Sequence, residues 1–159
     1  IEIGSLAYQK FTKKLTELCL YLAKKIIMDG EGATKFVTIQ VQGAKTKNNA
    51  HRIAQTVATS SLVKTALFGE DPNWGRIIAA VGNAGIFIHP ETIQILLNGS
   101  VLFKNGLPTN AASQSTLRKK MKNKNISICI KLNRGIFSDQ VYTCDLSYNY
   151  VRINAEYTT

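Results

Sequence analysis

Acidic residues are scarce in this chain. Of its 159 residues only 10 are Asp or Glu, against 20 Lys or Arg, a formal net charge of +10. Such a balance favours acidic partners such as nucleic acid, anionic lipid or phosphorylated ligands. No aromatic–basic interleaving of the RNA-binding kind accompanies the charge, so it reads as the lysine-rich surface of a soluble protein. Cysteine is scarce and odd in number: Cys19, Cys129 and Cys144. No Cys-x-x-Cys pair and no Cys/His spacing suits a metal, and none is expected. The thiols read as reduced and mostly buried, in an intracellular protein. No apolar run approaches the ~18 residues that span a bilayer, so no membrane partner is expected. The opening Ile1-Glu2-Ile3-Gly4 has no basic leader, no apolar core segment and no initiator Met, which suggests a processed product or an excised piece.

What is present is globular. The hydrophobic fraction is 45% and the charged fraction 19%, values that exclude a disordered or collagen-like chain. The length predicts one domain over 1–159, able to bury about 70% of its unfolded surface. No internal repeat, low-complexity tract or linker divides it.

Ser5 to Met28 predicts a helix, because Tyr8, Phe11, Leu15, Leu18, Leu22 and Ile26 step by three or four residues. Ser5 is its candidate N-cap and Gly30 its candidate C′ residue. Val37, Ile39 and Val41 alternate with Thr38 and Gln40, a strand with one buried face that Gly43 should end. A second helix follows, with Ala50, Ile53, Ala54, Val57 and Ala58 on one face. Leu62 to Phe68 reads as a short buried strand. Asp71-Pro72 reads as a helix start, Asp as N-cap and Pro at the first helical position. Trp74, Ile77, Ile78 and Val81 would be that helix's buried face. Asn98-Gly99 between two apolar runs predicts a hairpin with a type I′ turn. Asn110 is the candidate cap of a weaker helix running to Met121. Ile126, Ile128, Ile130 and Leu132 alternate, and Asn133-Arg134-Gly135 turns the chain into a last strand over Gln140 to Leu146. From Ser147 on no period is clear. The sum is a mixed α/β domain.

Three stretches carry more chemistry than the rest. Gly30-Glu31-Gly32-Ala33-Thr34-Lys35 is glycine-rich, but a helix ends and a strand begins there. A phosphate loop needs the reverse order and is rejected. Asp29 and Glu31 fall at a helix C-terminus, where the backbone dipole disfavours negative charge. A carboxylate set against local preference can serve a site or simply be solvated. Phe68-Gly69-Glu70-Asp71-Pro72-Asn73-Trp74-Gly75-Arg76 holds the only Trp and an Arg that suits either a substrate carboxylate or Glu70 and Asp71. The ending, Tyr150 to Thr159, stays aromatic and β-branched to its last positions, so it should dock rather than fray. Asn154 there offers both an acceptor and donors to an amino-acid ligand.

These stretches, in this order and together with Leu62-Val63-Lys64-Thr65-Ala66-Leu67, resemble the bifunctional ornithine acetyltransferase/glutamate N-acetyltransferase family of arginine biosynthesis. The resemblance runs from near residue 5 to the end. It implies a precursor that cuts itself into α and β chains, with a new N-terminal Thr as nucleophile. That Thr takes acetyl from N-acetylornithine, or in bifunctional members from acetyl-CoA as co-substrate, and passes it to glutamate. It implies a sandwich of the N-terminal-nucleophile kind, with helices packed on mixed sheets, and an α2β2 assembly. The location implied is the cytoplasm in bacteria or an organelle in eukaryotes. This chain begins at Ile1, so the resemblance makes it the C-terminal majority of a β chain. The nucleophile is expected upstream, no catalytic residue lies within the chain, and the chain alone is expected to be inactive. Residue by residue, the resemblance implies substrate contacts at Glu31, Asn154 and the final Thr159, with the α chain, N-acetylornithine, glutamate and ornithine as partners. Arg76 is given a supporting role, and His51 and His89 none. The rivals are a related self-cleaving aminopeptidase and a basic nucleic-acid-binding module.

Overall fold

The computed structural model describes residues 1–110 and 112–157. Among the described residues are six α-helices and six strands: α1 Leu6–Met28, β1 Phe36–Ala44, α2 Lys47–Thr59, α3 Ser61–Phe68, α4 Trp74–Gly82, β2 Gln94–Leu97, β3 Ser100–Lys104, β4 Leu107–Pro108, α5 Gln114–Met121, β5 Asn125–Lys131, β6 Phe137–Cys144 and α6 Tyr148–Glu156. The strands form one sheet in the order β4-β3-β2-β5-β1-β6. Only the central β1–β5 pair is parallel; every other neighbour is antiparallel. The fold is mixed α/β, with helices packed on a mixed sheet.

Strand alternation makes the core. Val37, Ile39 and Val41 of β1 sit beside Ile126, Ile128 and Ile130 of β5 in register, and all are buried. Ile95 and Leu97 of β2 extend the row. Against this face pack Ile53 and Val57 of α2, Val63 and Leu67 of α3, Ile77 and Val81 of α4, and Leu117 and Met121 of α5, in one cluster. Each such side chain contributes about 1.5–3 kcal/mol on burial. On the other face Thr38 and Gln40 stay half-exposed.

Several local expectations are corrected. Leu62 to Phe68 is a helix, not a strand. Ser60 caps it by accepting from the Val63 amide at 3.4 Å, and Val63, Ala66 and Leu67 bury at helical spacing. The next helix is capped by Asn73, not Asp71; Asn73 Oδ1 accepts from the Arg76 amide at 3.0 Å. Its buried residues are Ile77, Ala80 and Val81, while Trp74 instead stacks on Phe103 of β3 at 5.2 Å between ring centroids. Ser113 rather than Asn110 caps α5. β1 runs past Gly43, which bulges at φ 74°, and β6 begins three residues before the expected Gln140. The cysteines are free but none is fully buried: Cys19 is exposed, and Cys129 and Cys144 are half-buried.

The hairpin turn fits its expectation, with φ 45° at Asn98 and 79° at Gly99, both positive as a type I′ turn requires. Helix α1 forms where expected, capped by Ser5. Yet it buries no residue, and ten of its large apolar side chains are exposed, from Leu6 to Met28. It touches the body near β6, where Lys24 Nζ sits 4.9 Å over the Tyr142 ring, itself stacked on Phe36.

Candidate functional site

The β1–β6 register brings the segment before β1 and the segment after β6 together. β1 and β6 run antiparallel with Phe36 opposite Cys144. The loop before β1, residues 30–35, therefore faces the link after β6, residues 145–147. The ladder continues there through side chains. Asp145, only 3% exposed, accepts from the Thr34 amide at 2.8 Å, the Lys35 amide at 2.9 Å and the Thr34 hydroxyl at 2.5 Å. A buried carboxylate is tolerated when charge-assisted bonds of this kind replace its water.

Ser147 makes the second tie. Its hydroxyl donates to the Gly32 carbonyl at 2.6 Å and accepts from the Tyr150 amide at 3.2 Å. The same oxygen thus caps α6 and grips the loop, using both capacities of a hydroxyl. Gly32 lies so close to this helix start that a Cβ there would meet Tyr150 N at 2.6 Å and Ser147 Oγ at 2.8 Å. Its φ of 65° also falls in the left-handed region.

Nearly two turns into α6, Asn154 completes the arrangement. Its Nδ2 donates to the Tyr150 carbonyl at 2.9 Å and to Glu31 Oε2 at 3.0 Å. Both amide hydrogens are then directed to protein acceptors, so Oδ1 is the atom that can accept from a ligand. Glu31 and Asn154 are both exposed. Among the described residues Glu31 has no ion-pair partner; the ion pairs are Lys14–Glu17, Lys35–Glu70 and His51–Asp139. The pair is an exposed carboxylate beside a carboxamide, suited to an ammonium. Thr159 lies outside the described residues.

The other flank of the loop is organised by Lys35. Its side chain is 6% exposed. Nζ donates to the Met121 carbonyl at the C-terminus of α5, at 2.8 Å, and lies 3.3 Å from Glu70 Oε1. A cation at a helix C-terminus is favoured by the dipole. A hollow of about 530 Å³ beside it is lined by Met28, Ala33, Thr34, Lys35, Phe36, Lys124 and Asn125, and not by Glu31 or Asn154. Arg76 pairs with neither Glu70 nor Asp71. It donates to the Leu62 carbonyl at 2.9 Å and the Thr65 hydroxyl at 3.1 Å, tying α4 to α3. His51 bonds Asp139 at 2.8 Å, and His89 meets Phe87 edge to face. Burial pushes the Cys129 thiol up from its ordinary value, against a smaller lowering by Lys131. No His/Cys/Asp/Glu group fit to hold a metal occurs among the described residues.

Sequence reasoning singled out Glu31 and Asn154 and missed Asp145 and Ser147. The one local signal was Ser147 just ahead of an unassigned segment, a common N-cap placement.

The molecule is thus a mixed α/β chain whose glycine-rich loop and last helix meet at one end of a six-stranded sheet. The model described as the ArgJ family matches residues 2–159, and the chain belongs to that family. It is 45% identical over 157 residues to the arginine biosynthesis bifunctional protein ArgJ of Desulfotalea psychrophila, covering 99% of this chain and 40% of the relative. It is 46% identical over 158 residues to the glutamate N-acetyltransferase of Methanocaldococcus jannaschii, covering 95% of this chain and 39% of the relative. The chain therefore spans about 40% of the length of these curated relatives. The crystal structure of an arginine biosynthesis bifunctional protein ArgJ from Bacillus halodurans superposes with a TM-score of 0.93 at 38% identity, over 99% of this chain and 74% of that one.

Proposed function

We propose that this chain is the substrate-binding part of an N-acetyltransferase of arginine biosynthesis. The complete enzyme moves an acetyl group from N-acetylornithine, or from acetyl-CoA as co-substrate, to glutamate. One observation carries the reading: Glu31 and Asn154, 123 positions apart, meet at 3.0 Å on an exposed surface. Both are positions that the family resemblance assigns to the amino-acid substrate, and the relatives' names point to the same chemistry.

In this reading the Glu31 carboxylate holds the ammonium of ornithine or glutamate by a charge-assisted bond. Asn154 fixes the carboxylate's direction through Nδ2 and offers Oδ1 to the ligand. The final Thr159 adds a third contact. The nucleophile is a Thr outside this chain, activated by a base such as its own amine. The attack joins its oxygen to the acetyl carbon while the base takes the hydroxyl proton and passes it to the departing ornithine amine; glutamate's ammonium then gives a proton to the base, its free amine takes the acetyl group, and the Thr oxygen regains a proton. An α chain completes the enzyme in an α2β2 assembly. The enzyme works in the cytoplasm, or in an organelle of a eukaryote. Among the described residues no helix is long and apolar enough to cross a membrane.

The test is Glu31→Gln in the complete two-chain enzyme. Loss of a charge-assisted bond worth about 1.5–3 kcal/mol should raise KM for the amino-acid substrates roughly 10–100-fold. Self-cleavage of the precursor should be little changed. Wild-type KM values for both glutamate and N-acetylornithine would overturn the assignment.

A further inference from the structure

We propose that Asp145 and Ser147 are positioning residues that hold Glu31 and Asn154 at their working separation. The inference rests on the substrate role given above to that pair. Its basis is that neither element can place its own functional side chain. Helix α6 buries no residue; Tyr148 meets Phe68 edge to face at 5.3 Å while staying exposed, so the helix lacks the apolar burial that usually anchors nine residues. The 30–35 loop contains two glycines and turns left-handed at Gly32, so its backbone is intrinsically permissive.

What joins them is the three-residue link 145–147. Asp145 binds the loop at Thr34 and Lys35. Ser147, two residues on, binds it at Gly32 while starting the helix. Atoms of the helix start fill the space that a side chain on Gly32 would need, so the loop lies in direct backbone contact with α6. Glu31 immediately precedes these fixed points, and Asn154 lies one helical turn beyond Tyr150, whose amide Ser147 holds. A displacement of either tie moves carboxylate and carboxamide apart, and a shift near 1 Å can cost a large factor in a positioned site.

The buried charge of Asp145 distinguishes this from ordinary packing. An apolar residue could fill its place, but only an acceptor with two oxygens can bind two amides and a hydroxyl at once. The role is mechanical, since Asp145 acts through Glu31 and does not itself meet the ligand.

The test uses the complete enzyme carrying Asp145→Asn, Thr34→Val or Ser147→Ala, each alone and with Glu31→Gln. Thr34→Val removes one tie from an exposed position, so it retains the fold even where a change at Asp145 does not. KM for N-acetylornithine and glutamate should rise roughly 3–10-fold with kcat within about twofold. Combined with Glu31→Gln, each change should add less than about twofold, because its route to the substrate is already cut. Hydrogen–deuterium exchange should quicken in both the 30–35 loop and the 148–156 helix of Asp145→Asn and Ser147→Ala. Unchanged KM, fully multiplicative effects with Glu31→Gln, or faster exchange in only one of the two elements would overturn the proposal. If Glu31→Gln alone leaves KM unchanged, the substrate reading falls, and coupled exchange still decides whether the tie exists.

Discussion

Gly32→Ala tests how tightly the loop is pressed onto α6. An Ala Cβ would sit 2.6 Å from Tyr150 N, 2.8 Å from Ser147 Oγ and 3.1 Å from Asn149 C. Two of these are backbone atoms of a helix start, so no side-chain rotation relieves the clash. The φ of 65° adds a second cost, since a left-handed conformation disfavours Ala by about 1–2 kcal/mol. Forcing the loop away also breaks the Ser147 tie and its cap, worth about 1 kcal/mol. The sum is about 2–3 kcal/mol against the docked state. The core residues of β1, β5 and α2 are untouched, so the loss should appear as detachment of the loop and α6, with little change in the main unfolding transition. Hydrogen exchange followed by mass spectrometry reads this directly. Protection across 148–156 should fall about 30–150-fold, as roughly 2–3 kcal/mol requires, while protection in β1 and β5 stays within about twofold. Wild-type protection in α6 would refute the close-approach argument.

Two further outcomes follow from other sites. Lys35→Met removes the donor from the Met121 carbonyl at the end of α5; the Glu70 contact matters less because Glu70 is 38% exposed. Urea unfolding should show a loss of about 1–2 kcal/mol, and no loss would mean that the buried amine is not needed there. With a thiol reagent at neutral pH, exposed Cys19 should react before Cys129, which is half-buried in the sheet and whose thiol burial pushes up. Equal rates at neutral pH would contradict the structure.

Much of the fold was legible because the core strands obey a two-residue period. Val37–Ile39–Val41 and Ile126–Ile128–Ile130 announce both strands and their buried face. Residues 62–68 misled because a short apolar run fits strand and helix alike. The arbiter was the Ser60 cap together with the spacing of Val63, Ala66 and Leu67. Helix α6 escaped notice since a helix that buries nothing shows no apolar period. Glu31 and Asn154 emerged through resemblance, whereas Asp145 meets Thr34 across 111 positions. That meeting depends on the pairing of Phe36 with Cys144, and no local pattern in either segment encodes it.

Helix α1 leaves this chain with a colloidal character of its own. A 23-residue rod with ten large apolar side chains in water would draw copies together. The net charge of +10 opposes that contact. The two forces differ in reach and in their response to ions. Repulsion extends about 10 Å at 0.1 M salt and shrinks to about 3 Å at 1 M, whereas apolar attraction is not screened. Salt that would quiet most basic proteins therefore favours self-association of this one, and dilute buffer is the medium in which its copies keep apart.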